Sequence, residues 1–375
     1  MVDPSAYTPP YDRSLCAALA RSGADVELVT SRFLYGPVPA EDGYRVNEAF
    51  YRRSADRGLD APARRAFKLA EHIGDMVRYR RHTAAADVVH YQWLTMPGFD
   101  WLLLPPPARS SRAGRRSRPP QVYTAHDRPL PGPLGPAQER RLLSRMDAVV
   151  AHSEHGARRV RDQLGFDPKR IALIPHGAFD YLAELPEQAP LPPELAAVEG
   201  PVVLCFGLIR PYKGVEVLVE AFRAIQGAEL WIVGMPRMPL DPLRELAAEI
   251  GDRVRIVPRF ISDAEVAAYF RRADLVVLPH LEVEQSGVLH IALAFGKPLV
   301  LSAVGGFPEL AEREGAGRLV PPGDAAALAS TLEELLGDED ERRRLAAAAA
   351  KAAAGPHSWD GIASRTLDLY RSLTT

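Results

Sequence analysis

The sequence predicts an α/β protein of two similar doubly wound halves facing each other across a ligand cleft. Three observations predict it. Short apolar runs bounded by turn residues alternate with helical patterns along the whole chain, as buried parallel strands and their crossover helices require. A stretch with four prolines and no sustained period, residues 185–200, divides that alternation in two. The 375 residues, 47% hydrophobic and 25% charged, are enough for two cores.

The chain opens on Met1–Tyr7, where such a domain normally has a full apolar strand. The strand here is very short and reads as the remainder of a longer one. Pro9-Pro10-Tyr11-Asp12 leads into a helical pattern carried by Leu15, Ala18 and Leu19. Strands are expected at 25–30, 87–91, 121–124, 147–151 and 171–174. Between them lie two arginine-rich segments. Residues 63–82 carry Arg64, Arg65, Lys68, Arg78, Arg80 and Arg81 beside a partial apolar stripe of Phe67, Ile73, Met76 and Val77. Residues 109–118 read as a solvated loop.

The second half repeats the pattern, with strands expected at 201–206, 229–234, 253–258, 274–279, 298–302 and 318–320. Residues 324–336 and 339–354 are dominated by Ala, Leu, Glu and Arg, which favour helix. Gly355-Pro356 breaks that pattern before a last helix at 359–373. The predicted organisation is a first domain at 1–184, a linker at 185–200, a second domain at 201–355, and a final helix at 358–375 returning to the first.

A formal net charge of -2 argues against a nucleic-acid binder. Two cysteines, Cys16 and Cys205, offer neither a disulfide framework nor a zinc cluster and suit a reducing compartment. No apolar run approaches the ~20 residues of a membrane span, and the start lacks the features of a signal peptide. The expected location is the cytoplasm.

Chemistry concentrates in Phe206-Gly207-Leu208-Ile209-Arg210-Pro211-Tyr212-Lys213-Gly214. It follows an apolar run and precedes a helix with Val215, Leu218, Val219 and Phe222 on one face. Strand, glycine, basic loop, glycine, helix is how an α/β sheet presents a phosphate site: backbone approaches at Gly207, helix amides point outward, and Arg210 and Lys213 add charge. The alternative is a plain βα turn with two solvated cations. Three further segments follow strands: Thr124-Ala125-His126-Asp127, residues 282–288, and Val304-Gly305-Gly306-Phe307-Pro308-Glu309.

Residues 206–309 resemble the donor domain of family 4 glycosyltransferases, the retaining group with the GT-B fold of two Rossmann-like domains. The matches are FGLIRPYKG (206–214), LWIVG (230–234), ADLVVLPH (273–280), QSGVLHIALAFGKPLVLSAVGGFPEL (285–310) and PPGD (321–324). VVHYQW (88–93), TAHD (124–127), AHSEHG (151–156) and IPHGAF (174–179) extend the resemblance into the first half in the family's order.

The resemblance implies a nucleotide-sugar donor and a glycan or lipid-linked acceptor, with no metal and no cofactor. Arg210 and Lys213 would neutralise the leaving diphosphate. Gly207, the amides of Ser286, Gly287 and Val288, the segment Arg259-Phe260, Glu282 and Glu309 would serve the donor. His126 would contact the transferred sugar. Tyr11, Asp12, Gln92 and Asp127 would lie on the acceptor side. Members acting on lipid-linked acceptors use basic faces on anionic membranes, the role this assigns to 63–82 at the inner face.

Two departures stand out. The family's Glu-x7-Glu has Glu282 and Glu284 at its first position, one of them a solvated loop carboxylate, and Ile291 or Ala292 where the second glutamate falls. A Gln-Ser-Gly-Val turn marks a variant subgroup. The glycine-rich first loop is replaced by Tyr7–Asp12. A non-catalytic nucleotide-sugar-binding protein and a nucleotide-sugar epimerase are the alternatives. His290 reads as a packed core histidine, and His155 and His176 as mainly structural. His90, Gln92 and Trp93 end a strand and reach towards the acceptor, with a core role as the other reading of Trp93.

Overall fold

The computed structural model describes residues 1–34, 36, 38–54, 61–106, 118–126, 135–283 and 285–375. It divides into two compact units, Met1–His176 with Trp359–Thr375, and Gly177–Ser358.

The first unit holds β1 (Val2–Asp3), β2 (Glu27–Ser31), β3 (Arg45–Phe50), β4 (Val89–Tyr91), β5 (Gln121–Ala125), β6 (Ala148–Ala151) and β7 (Ile171–Leu173). They form one parallel sheet in the order 3-2-1-4-5-6-7. The sequence reading did not anticipate β3. Its residues, Arg-Val-Asn-Glu-Ala-Phe, contain no apolar run because the strand lies at the sheet edge, where only Phe50 is buried. It pairs in parallel with β2 through Glu27↔Arg45 and Leu28↔Val46.

The helix Ala61–His82 places Met76 and Tyr79 in the core and leaves Phe67, Leu69, Ile73 and Val77 exposed. Met76 therefore leaves the expected stripe, and Leu69 joins it. The helix Trp359–Thr374 packs on the helix Pro9–Arg21, burying Trp359, Ile362, Ala363 and Thr366. Arg21 bonds Asp360 at 2.8 Å there. A cavity of about 650 Å³ opens beside β1, at the starts of β2 and β4, lined by Val26, Glu27, Val89, His90 and Tyr370 among others. Of the residues singled out in the sequence, His90 lines it, and neither His126, Arg210 nor Lys213 does.

The second unit holds β8 (Val202–Phe206), β9 (Glu229–Val233), β10 (Val254–Val257), β11 (Leu275–Leu278), β12 (Leu299–Ser302) and β13 (Gly317–Val320). These are parallel in the order 10-9-8-11-12-13. Alternate residues feed the two faces: Val202, Leu204 and Phe206 enter one core and Val203 and Cys205 the other. Residues 185–200 carry the short helix Pro193–Ala196, and Leu182 and Leu195 are buried in this unit's core.

In each sheet the winding reverses beside the first strand, between β1 and β4 and between β8 and β11. That is where a doubly wound sheet opens a crevice at its carboxyl edge. No described helix is long and apolar enough to cross a membrane.

Candidate active site

In the second unit the crevice is framed by the loops after β8 and β11. The β8 loop is pinned to the loop after β9, since Ile209 N–H donates to Met235 O at 3.0 Å and Arg237 N–H to Ile209 O at 2.9 Å. A single tight turn, Pro211–Lys213, then leads to Gly214 and the helix Val215–Phe222. This turn buries Lys213, 9% exposed, and leaves Arg210 partly exposed.

Gly207 sits at φ +101°, a left-handed value that side chains rarely adopt. A Cβ there would lie 2.9 Å from Val288 Cγ2 and 3.0 Å from Lys213 Nζ. The ammonium, the bare glycine backbone and the start of the helix Gly287–Ala294 therefore converge. Leu281 N–H donates to Tyr212 O at 2.8 Å, which ties the two loops together.

The electrostatics follow from burial. Lys213 is held below its ordinary pKa, first by desolvation and also by the nearby Arg210 charge. Burial pushes the Cys205 thiol up to about 11, so it stays neutral beside the ammonium. Neither Arg210 nor Lys213 forms an ion pair with a carboxylate among the described residues. Ser286, buried and extended, stands at the N-cap position of the helix Gly287–Ala294 without a side-chain capping bond, and the helix's first amides have no partner within the helix. Two uncompensated cations and open helix amides make an anion site.

The remaining donor-side candidates are placed as follows. Glu282 is exposed after β11, and Glu309 is half-buried in the first turn of the helix Phe307–Glu314. Glu284 lies outside the described residues. Ile291 and Ala292, the two alternatives for the position of the second family glutamate, are half-buried and buried on the helix Gly287–Ala294. Arg259 bonds Glu265 at 2.6 Å and the Phe260 carbonyl at 3.0 Å, so its guanidinium is engaged locally. Arg259 holds the Glu265 carboxyl down to about 2, and Glu265 completes a capping box with Ser262. The Phe260 ring is 52% exposed.

In the first unit, polar residues beyond the ends of adjacent strands line up along the sheet edge: Gln92 after β4, His126 after β5, His152 after β6 and His176 past β7. His126 Nε2 lies 2.9 Å from Gln92 Oε1, and its Nδ1 lies 3.2 Å from His152 Nε2. Trp93 stacks on the His126 ring with centroids 5.0 Å apart at 11°, and Tyr11 meets it edge-on at 4.6 Å. Burial, then the neighbouring His152, His176 and His90, hold His126 far below the ordinary histidine range. His126 is neutral.

Asp12 is turned into the unit, 1% exposed. Its pKa is raised well above the carboxylate range, by burial first and then by Asp3. Asp3 accepts backbone N–H groups from Ser5 at 3.1 Å and Thr8 at 3.3 Å, so this pair organises the loop that replaces the glycine-rich one. Asp127 lies outside the described residues. His90 is a core residue rather than an acceptor contact: its two ring nitrogens meet the Tyr370 hydroxyl at 2.6 Å and Thr124 Oγ1 at 2.7 Å. Trp93 donates Nε1–H to Thr8 Oγ1 at 2.7 Å. His152 escaped the sequence reading. The available signal was a polar residue directly after a fully apolar strand, the signal that drew attention to His126. Among the described residues, no three His, Cys, Asp or Glu side chains are grouped to hold a metal ion.

Residues 13–178 match the model of Glycosyltransferase Family 4, and residues 200–338 match that of Glycosyl transferases group 1. The chain belongs to the family 4, group 1 glycosyltransferases. A D-inositol 3-phosphate glycosyltransferase of Nocardia farcinica is 33% identical over 284 residues, covering 68% of this chain and 62% of that protein. The protein of the same name from Xylanimonas cellulosilytica is 29% identical over 394 residues, covering 97% and 91%. Among solved structures, sucrose-phosphate synthase from Thermosynechococcus elongatus superposes with a TM-score of 0.74 at 24% identity, covering 97% of this chain and 92% of that one. Anabaena HepE in complex with UDP-glucose gives 0.71 at 18% identity, covering 99% and 98%. These likenesses show that this glycosyltransferase has the GT-B fold.

Proposed function

We propose that this glycosyltransferase moves a sugar from a nucleotide-sugar donor to a glycan or lipid-linked acceptor with retention of configuration and without a metal ion. The observation that carries the reading is Lys213, buried without a carboxylate partner among the described residues and lying against Gly207 and the start of the helix Gly287–Ala294. A leaving nucleoside diphosphate develops charge as the glycosidic bond breaks, and preformed cations stabilise it without reorganisation. Arg210 and Lys213 take that role. The amides of Ser286, Gly287 and Val288 hold the distal phosphate, and His126 contacts the transferred sugar. HepE was solved with UDP-glucose, which supports a nucleotide-sugar donor here.

The test is calorimetric titration of the protein with UDP, GDP and ADP. One nucleotide binds, and Arg210→Ala with Lys213→Met together weaken it at least ~100-fold, about 3 kcal/mol for two charge-assisted contacts. Equal binding by the double variant overturns the assignment. Donor binding without transfer or hydrolysis would favour the non-catalytic reading, which an apolar residue, Ile291 or Ala292, in place of the second family glutamate supports.

Peripheral membrane contact rests on the helix Ala61–His82. Leu69, Ile73 and Val77 are exposed at i, i+4 and i+8, with Arg80 and Arg81 exposed at its end. Flotation with anionic vesicles tests it, and Ile73→Asp abolishes the association.

A further inference from the structure

The first unit holds another cation that has no ion pair among the described residues. Lys68 lies on the helix Ala61–His82 between Phe67 and Leu69, both exposed, yet is itself half-buried. Its Nζ donates to Ser5 Oγ at 3.2 Å and stands over the Tyr51 ring, 4.5 Å from the centroid. Asp3 is the carboxylate whose charge reaches it, and Asp3 already accepts backbone N–H groups from Ser5 and Thr8. Desolvation keeps the Lys68 pKa below the ordinary lysine value, with Asp3 acting against it. A half-buried charge so lightly compensated calls for an anion.

The surrounding hydroxyls supply further donors. Ser5 follows β1 and Thr95 follows β4, the adjacent strands where the winding reverses. Tyr51 O–H donates to Thr95 Oγ1 at 2.7 Å, and Ser5 Oγ and Thr95 Oγ1 lie 2.7 Å apart. That last contact uses one of the two hydroxyl hydrogens. The other has no acceptor among the described residues, and neither have two of the three ammonium N–H groups.

These donors are fixed from behind. Tyr51 Oη lies 2.6 Å from His72 Nδ1, His72 is bonded through Nε2 to Asp100, and both are buried. Tyr51 N–H donates to Asp75 at 2.8 Å and Tyr51 stands at φ +54°. Ala6, next to Ser5, is at φ +48°. Both values are costly for residues with a side chain, and among the described residues only these two non-glycine positions have them. Such strain persists where surrounding bonds over-determine it, and it clusters at ligand clamps.

We propose that Lys68, with Ser5 and Thr95, seats a phosphate ester of the acceptor. A phosphate offers several oxygens to convergent N–H and O–H donors, and an ammonium serves it as a point charge. The inference deepens the transferase reading and rests on the first unit's crevice taking the acceptor. A soluble sugar phosphate and a lipid-linked phosphate both carry this group.

The chain has five lysines, Lys68, Lys169, Lys213, Lys297 and Lys351, so the side-chain NMR signals of protein labelled with 13C-lysine are assigned one variant at a time. Inorganic phosphate is titrated into Arg210→Ala with Lys213→Met, which lacks the donor-side cations. The Lys68 signal is expected to shift saturably, while those of the exposed Lys169 and Lys351 report ionic strength alone. Adding Ser5→Ala and Thr95→Val weakens binding about tenfold. A Lys68 shift no different from that of Lys169 and Lys351, or undiminished binding without the two hydroxyls, overturns the proposal. The first titration decides even if the hydroxyl variant fails to fold. Tighter binding of glucose 6-phosphate than of phosphate, with glucose giving no shift, supports a soluble acceptor. Flotation with phosphatidylcholine vesicles containing phosphatidic acid, weakened about fivefold by Lys68→Met and less by Arg81→Met at the exposed helix end, supports a lipid-linked one. Phosphate binding with neither ester preferred overturns the acceptor role. Nucleotide titration of the unaltered protein tests the donor reading separately, so the two fail independently.

Discussion

Gly214→Ala is the most discriminating perturbation of the phosphate loop. Gly214 has φ +62°, and a Cβ built on it would lie 2.1 Å from Pro279 O, a backbone atom of the loop after β11. An ordinary contact is more than 1 Å longer, so the β8 and β11 loops must part. Gly227 in the same unit has φ +71° with nothing within 4 Å of its Cβ position. Gly227→Ala therefore isolates the left-handed backbone cost, about 1 kcal/mol after the entropy lost from the unfolded chain is set against it. Gly214→Ala adds an overpacking cost of about 2 kcal/mol, for a total near 3. Urea unfolding followed by circular dichroism measures both. Nucleotide binding by Gly214→Ala should also fall at least tenfold, because the hydrogen bond from Leu281 N–H to Tyr212 O couples the two loops. Equal destabilisation by the two variants would refute the close approach of Gly214 to Pro279. Undiminished nucleotide binding by Gly214→Ala would refute the link to Lys213.

Other outcomes follow from the same geometry. His90 is lowered to about 3, by burial foremost, so the folded state binds fewer protons than the unfolded one between pH 6.5 and 3. Stability is full above about 6.5 and is lost as pH falls, at up to about 1.4 kcal/mol per unit, and His126 acts in the same direction. Melting temperature measured from pH 7 to 5 should drop, and less steeply in His90→Gln; an identical slope would exclude His90 as a cause. The Glu265 carboxyl, held at about 2 mainly by Arg259, contributes stability above about pH 4.3 that is lost as pH falls towards 2. Glu265→Ala should cost about 1 kcal/mol at neutral pH through loss of the capping box. No change on urea unfolding would show that the cap contributes nothing.

The sequence by itself determined the two-fold α/β grammar, because buried parallel strands need continuous apolar runs and loops need glycine and proline at their ends. Among the described residues it placed twelve of the thirteen strands and missed β3, whose polar edge residues leave no local signal. It also singled out Gly207, Arg210 and Lys213, since a glycine turn with cations after a strand is a local chemical pattern. Tertiary structure alone decided that Val288 and Lys213 meet over Gly207, seventy-five residues from Lys213 to Val288, by putting β8 beside β11. It likewise turned Met76 inward, committed His90 to the core and brought His152 against His126. Strand order and register set those neighbours, and both arise from long-range packing that no single stretch of sequence contains.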